Sequence, residues 1–140
     1  MTDPVSSSDV DRYIRAVIAR KAGRVVVLDV SELTSIADAF ILCSGRSNRQ
    51  VTAIAEYIEA DLKSQGVRPL SIEGRREGHW VLMDYGDVVI HIFYEPVREV
   101  FDLEGLWIDA GRIVTDDMRA AAEAANESDE AEEEDDDHDD

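Results

Sequence analysis

Glu73–Tyr94, EGRREGHWVLMDYGDVVIHIFY, is the stretch whose pattern decides the fold. From Trp80 to Asp84 the side chains alternate: Trp80, Leu82 and Asp84 point to one side, Val81 and Met83 to the other. That is the period of a strand with two different faces. Val88 to Phe93 is apolar at every position but His91, which reads as a central strand covered on both faces. Between the two, Asp84-Tyr85-Gly86-Asp87 supplies turn formers, and Gly86 is free to take the positive φ that a short hairpin loop requires. The hairpin puts Asp84 and Tyr85 at one end of a sheet, with Trp80 expected close by.

On the N-terminal side, Ser6-Ser7-Ser8-Asp9 offers caps for a helix whose Val10, Ile14, Val17 and Ile18 form one stripe. Gly23 is its stop. Arg24–Val30 and Ala37–Ser44 read as two buried strands, the second ending at Gly45. Ser47-Asn48-Arg49-Gln50 matches a capping box, in which the Gln side chain is expected to return to the cap's own amide. Val51, Ile54, Ala55, Ile58 and Leu62 continue as the apolar stripe of a helix ending near Gly66. Arg68–Ile72 is a short third strand with Pro69 at its edge, and the hairpin supplies the fourth and fifth. Pro96 opens a short helix to Leu106 that presents Val97, Phe101 and Leu103 or Leu106. Thr115-Asp116-Asp117 caps a weak Ala-rich helix. The order predicts an α/β fold with a mixed five-stranded sheet and flanking helices. Its parts are a flexible N-terminus (1–8), one domain (9–114), a weak helix (115–126) and an acidic disordered tail (127–140).

With 140 residues and 44% hydrophobic content the chain can build one core. The formal charge of −18 is uneven: residues 127–140 hold eleven acidic side chains and no Lys or Arg, leaving −7 for residues 1–126. The tail lacks apolar surface to offset its ordering entropy; electrostatic contact with a basic partner and simple solubilisation are both open to it. An acidic body disfavours direct nucleic-acid binding, which depends on Lys and Arg at phosphates, and favours a basic protein as partner. The single cysteine, Cys43, fits a reducing cytosol. No run approaches the roughly 18 apolar residues of a membrane span, so the expected location is the cytoplasm.

Three chemistries can be weighed against packing. Ser44-Gly45-Arg46-Ser47 lies between a strand and a helix, where backbone amides could hold a phosphate with help from Arg46 and Arg49. Nucleotide transfer also needs paired carboxylates for metal, and none is found on the neighbouring strands, so a turn and a cap explain these residues better. A His91 base with Asp84 or Asp87 and a Cys43 nucleophile would need three residue types to converge; a His91 satisfied by a backbone group is preferred. His79, His91, His138 and Cys43 lack metal-ligand spacing. No catalytic, cofactor or metal residue is assigned. There remain Trp80, Asp84 and Tyr85, framed by Glu73, Arg75, Arg76 and Glu77. Aromatic residues ringed by charge suit a protein interface, although Trp80 as a core residue fits the composition equally.

Val27-Leu28-Asp29-Val30, Ala37 to Gly45, Arg49 to Ile54, Gly78-His79-Trp80-Val81-Leu82-Met83-Asp84-Tyr85-Gly86-Asp87, the strand through Phe93, and Leu103-Glu104-Gly105-Leu106-Trp107 together resemble the Iojap family, the ribosomal silencing factors. The resemblance runs from about Val10 to Trp107 and departs at Phe101, where the family usually has Tyr. It implies a nucleotidyltransferase-like fold with its catalytic acids absent, hence a protein that is not an enzyme and needs no cofactor. It further implies binding to the large ribosomal subunit through its fourteenth protein, obstruction of subunit joining, and lowered translation under nutrient limitation. Carried over by residue, the implied partner surface is Trp80, Leu82, Asp84 and Tyr85, with Glu73 weaker. The alternatives are a nucleotide-binding protein using Gly45 to Arg49, and a homodimeric adaptor paired through a strand edge or the Trp107 segment.

Overall fold

A computed structural model describes residues 7–124; the acidic segment 127–140 and residues 1–6 lie outside them. The elements run α1 (Ser7–Ile18), β1 (Gly23–Asp29), β2 (Ala39–Gly45), α2 (Asn48–Ser64), β3 (Ser71–Glu73), β4 (Trp80–Asp84) and β5 (Val88–Tyr94). They continue with α3 (Glu95–Phe101), α4 (Leu103–Leu106) and β6 (Gly111–Arg112), and residues 116–124 form a last helix, α5. The strands make one mixed sheet in the order β3-β4-β5-β2-β1-β6. Its centre, β2 against β5, is parallel, and its other pairs are antiparallel.

Among the described residues the sheet has six strands, not the expected five. Gly111 and Arg112 add an edge by pairing with Asp29 and Leu28, and two residues without alternating apolar side chains leave no periodic trace in a sequence. β3 begins at Ser71 instead of Arg68, which leaves Pro69 outside the ladder that its missing N–H could not join. α1 starts at Ser7, inside the segment expected to precede the domain.

The parallel pair is buried from end to end except at Tyr94, as an apolar run without alternation requires. Alternate residues therefore feed two cores. Ala39, Ile41, Cys43, Val88, Ile90 and Ile92 pack with Val81 and Met83 beneath α1 and α2. Phe40, Leu42, Val89 and Phe93 point the other way, toward Val97, Leu103 and Trp107. The stripe Val51, Ile54, Ala55, Ile58, Leu62 is wholly buried, as its spacing predicts. Its Val, Ile and Leu side chains each contribute about 2 kcal/mol through the area they withdraw from water.

The hairpin between β4 and β5 closes as its composition demands. Gly86 sits at φ +93°, the Tyr85 amide donates to the Val88 carbonyl at 2.9 Å, and the Asp84 carboxylate accepts from the Gly86 amide at 2.8 Å.

The helix expected from Pro96 to Leu106 is two helices. Asp102 adopts φ 47°, ψ 55°, ending α3 in the left-handed conformation that a short polar side chain tolerates. Its carboxylate then caps α4 by accepting from the Gly105 amide at 3.1 Å. The reversal directs Val97 and Leu103 inward and leaves Phe101 and Leu106 exposed, so the residues expected on one helical stripe are divided between the core and solvent.

Candidate partner-binding surface

The pleat of β4 places Trp80, Leu82 and Asp84 on the face away from α1 and α2. Register extends that face. Glu73 of β3 is paired with Leu82, and Leu82 is paired with His91 of β5, so these three stand in a row on one side of the sheet. Trp80 is paired with Phe93. Four of the five residues expected at a partner surface, Glu73, Trp80, Leu82 and Asp84, are thus brought onto one face. Glu73 is exposed, and the other three are half-buried.

Tyr85 is not among them, and Trp80 does not lie near it. Trp80 begins β4 and Asp84 ends it, so the two stand at opposite ends of the strand. Tyr85 continues the alternation of Val81 and Met83 and packs against the Tyr13 ring of α1, with centroids 5.4 Å apart. Burial, followed by the charge of Glu59 and by Tyr13, pushes its phenol up to about 12. Its buried hydroxyl has no hydrogen-bond partner among the described residues.

Around Trp80 the face is aromatic. Its ring lies 4.9 Å from that of Phe93 and 5.0 Å from that of Phe101, and its Nε1–H donates to His91 Nδ1 at 3.2 Å. Acceptance at Nδ1 puts the proton of the neutral imidazole on Nε2, where nothing among the described residues accepts it. Burial lowers His91 to about 4, so it is neutral at physiological pH. Phe40 meets His91 edge-on at 5.1 Å and Trp107 at 5.3 Å. The satisfied nitrogen of His91 is therefore held by an indole, not by the backbone group expected.

The same parity removes a His91–Cys43 catalytic pair. His91 belongs to this face and Cys43 to the opposite core, where burial pushes its thiol up to about 12 and withholds the thiolate a nucleophile requires. Asp84 is engaged in the turn. Among the described residues, no cluster of His, Cys, Asp and Glu could hold a metal ion, and no helix is long and apolar enough to cross a membrane.

At the N-terminus of α2 the Ser47 hydroxyl accepts from the Gln50 amide at 3.0 Å. The Gln50 side chain accepts from the Arg46 amide, one residue ahead of the cap amide expected. Gly45 is required by close approach, since a Cβ there would stand 2.9 Å from Val51 Cγ2. The shallow cleft beside this turn sets Arg49 and Arg76 against Glu56 and Glu77, a lining without the uniform positive charge that selects a phosphate.

Sequence reasoning overlooked Arg98. It is 2% exposed, donating from Nη1 to Ser44 Oγ at 2.7 Å and from Nε to Glu104 at 3.0 Å. It thereby fastens α3 to β2 and to α4. Nothing in EPVREVF marks its one arginine as buried, because the residues that enclose it come from distant segments.

The family model described as ribosomal silencing factor during starvation matches residues 4–140. A ribosomal silencing factor RsfS of Halalkalibacterium halodurans is 41% identical over 97 residues, covering 69% of this chain and 83% of that relative. The chloroplastic protein Iojap of Arabidopsis thaliana is 33% identical over 93 residues, covering 66% of this chain and 39% of the plant protein. A crystal structure of a Chromobacterium violaceum protein superposes with a TM-score of 0.69 at 38% identity, covering 74% of this chain and 87% of that one. A family match across almost the whole sequence, and close relatives that share its α/β architecture, establish that the chain belongs to the ribosomal silencing factor family.

Proposed function

We propose that this chain is a cytoplasmic, non-enzymatic repressor of translation. It binds the large ribosomal subunit through its fourteenth protein, on the surface that meets the small subunit, and blocks joining when nutrients are short. The observation that carries this reading is the gathering of Glu73, Trp80, Leu82 and Asp84 on one half-open sheet face, in a family named for ribosomal silencing. Steric obstruction asks for a tight and correctly placed contact, not for chemistry. Leu82 and the edge of Trp80 supply apolar area at the centre, and Glu73 supplies charge at the rim. A net charge of −18 draws a basic ribosomal protein and repels exposed RNA, so the contact is with protein. Tyr85 supports the surface from beneath by fixing the hairpin against α1.

We read the α/β scaffold as nucleotidyltransferase-like without its catalytic acids. The competing nucleotide-binding reading is weakened by the engagement of the Arg46 and Gln50 amides in capping.

Co-sedimentation of the full chain with purified large or small subunits, followed by addition of the missing subunit, tests the proposal. Wild type should pellet with large subunits alone and suppress joining. Glu73→Arg, an exposed change that alters stability by no more than about 0.5 kcal/mol, should weaken both effects. Wild type that pellets with neither subunit would end the reading.

A further inference from the structure

The half-open face continues past β4 onto the elbow between α3 and α4. Phe101, the last residue of α3, is 57% exposed although its ring lies against Trp80. Trp80 has Phe93 on one side and Phe101 on another, and its indole N–H is bonded to His91. Phe101 is therefore the more exposed ring of the pair. Val100, Leu106 and Ile108 of the same elbow are 72–79% exposed. A concentration of large apolar side chains in solvent marks an interaction surface in a soluble protein. Fraying does not account for it: Arg98, buried between Ser44 and Glu104, pins both short helices to the sheet.

Within the elbow segment itself the charge has one sign, although Arg98 and Arg112 flank it. Residues 99–111 contain Glu99, Asp102, Glu104 and Asp109 and no Lys or Arg. Arg24 pairs with Glu99, and Arg98 with Glu104. No cation pairs with Asp102 or Asp109 among the described residues; both are exposed, Asp109 without a side-chain hydrogen bond there and Asp102 with one carboxylate oxygen on the Gly105 amide.

We propose that the α3–α4 elbow is the second half of the partner-binding surface. Its occupant is a basic protein segment that lays an apolar side chain on Phe101 and Leu106 and sets a Lys or Arg beside Asp102 and Asp109. This rests on the reading of the β3–β4 face as the site of a basic ribosomal protein. It adds to that site a contact on the opposite side of Trp80 and a reason for selecting a cationic partner. A second copy of the chain is a poorer occupant, because a two-fold interface would bring these same acids against one another. RNA is excluded by the same charge.

The test measures affinity of the full chain for purified large ribosomal subunits, with thermal melting as the control for folding. Phe101→Ser combined with Leu106→Ser should weaken binding by about 10- to 100-fold, the range of interface hot spots, while melting stays within a few degrees of wild type. Asp109→Lys, at an exposed position away from both cores, should slow association several-fold and supplies the result should the double variant fail to fold. If wild type binds and these variants bind equally well, the elbow is not part of the surface and the β3–β4 reading survives alone. If wild type itself does not bind large subunits, the underlying reading fails and takes this inference with it.

Discussion

Beneath α1 and α2 the sheet buries Ile41, Ile54, Ile58, Leu62, Ile90 and Ile92, each at most 1% exposed, and the packing is almost wholly aliphatic. Beneath α3 and α4 it buries Phe40, Phe93, His91 and Arg98, with Leu82 half covered and Phe101 largely uncovered. Buried polar atoms without a partner among the described residues occur on both sides, the Tyr85 hydroxyl on the first and a ring nitrogen of His91 and one guanidinium nitrogen of Arg98 on the second. Two short helices cannot cover an area that two long ones cover opposite. The first face is built from non-directional burial, which maximises stability. The second depends on hydrogen bonds and ring contacts, which hold specific side chains at the boundary with solvent. A surface that must bind without rearranging benefits from that division, because the rigid face carries the stability while the open one keeps its apolar edge available.

The contrast is tested most severely by Ile41→Ala. With the centre of the closed face unable to collapse fully around the lost volume, unfolding stability should fall by about 4 kcal/mol in chemical denaturation, with affinity for large subunits unchanged in the folded fraction. A cost below about 1 kcal/mol would remove the distinction between the faces.

The next effect is the acid sensitivity of His91. Its folded value is lowered to about 4 from 6.5 by burial, so its contribution to stability is complete above pH 6.5. Below that the unfolded chain takes up a proton that the folded chain refuses, and stability falls as pH drops from 6.5 toward 4, by up to about 3 kcal/mol. His91→Asn retains an acceptor for Trp80 but does not titrate, so subtracting its denaturation series from the wild-type series isolates the effect. Parallel pH curves for the two proteins would show that His91 is not the buried neutral group described.

Trp80→Phe should have the smallest effect. It keeps an aromatic ring between Phe93 and Phe101 and deletes the N–H that His91 Nδ1 accepts, at a cost of about 1–2 kcal/mol. In the same variant His91 should lose its indole contact, which the imidazole carbon shifts in an NMR titration would report. An unchanged tautomer and stability would mean that ring packing alone orders this face.

Much of this architecture could be read locally. Alternation over Trp80–Asp84 and the stripe from Val51 to Leu62 are properties of neighbouring residues, and both survive in the fold. The side taken by Tyr85 was also legible: carrying the period of Val81 and Met83 one step further assigns it to the α1 face, away from Trp80. The approach of Glu73 to Leu82 was not legible, because it depends on how β3 is registered against β4. β6 offered too few residues to show any period.

The sequence by itself determined the elements with a repeating side-chain pattern, the hairpin turn at Gly86, the acidic balance of the chain and the motifs of its family. These depend on backbone geometry and composition within a short window. The tertiary fold decided which residues share a face, which arginine is buried, and that the chain turns at Asp102 to leave Phe101 in solvent. Those outcomes depend on register and on groups from distant segments, such as Ser44, Arg98 and Glu104, whose mutual contact is favourable only once the sheet has brought them together.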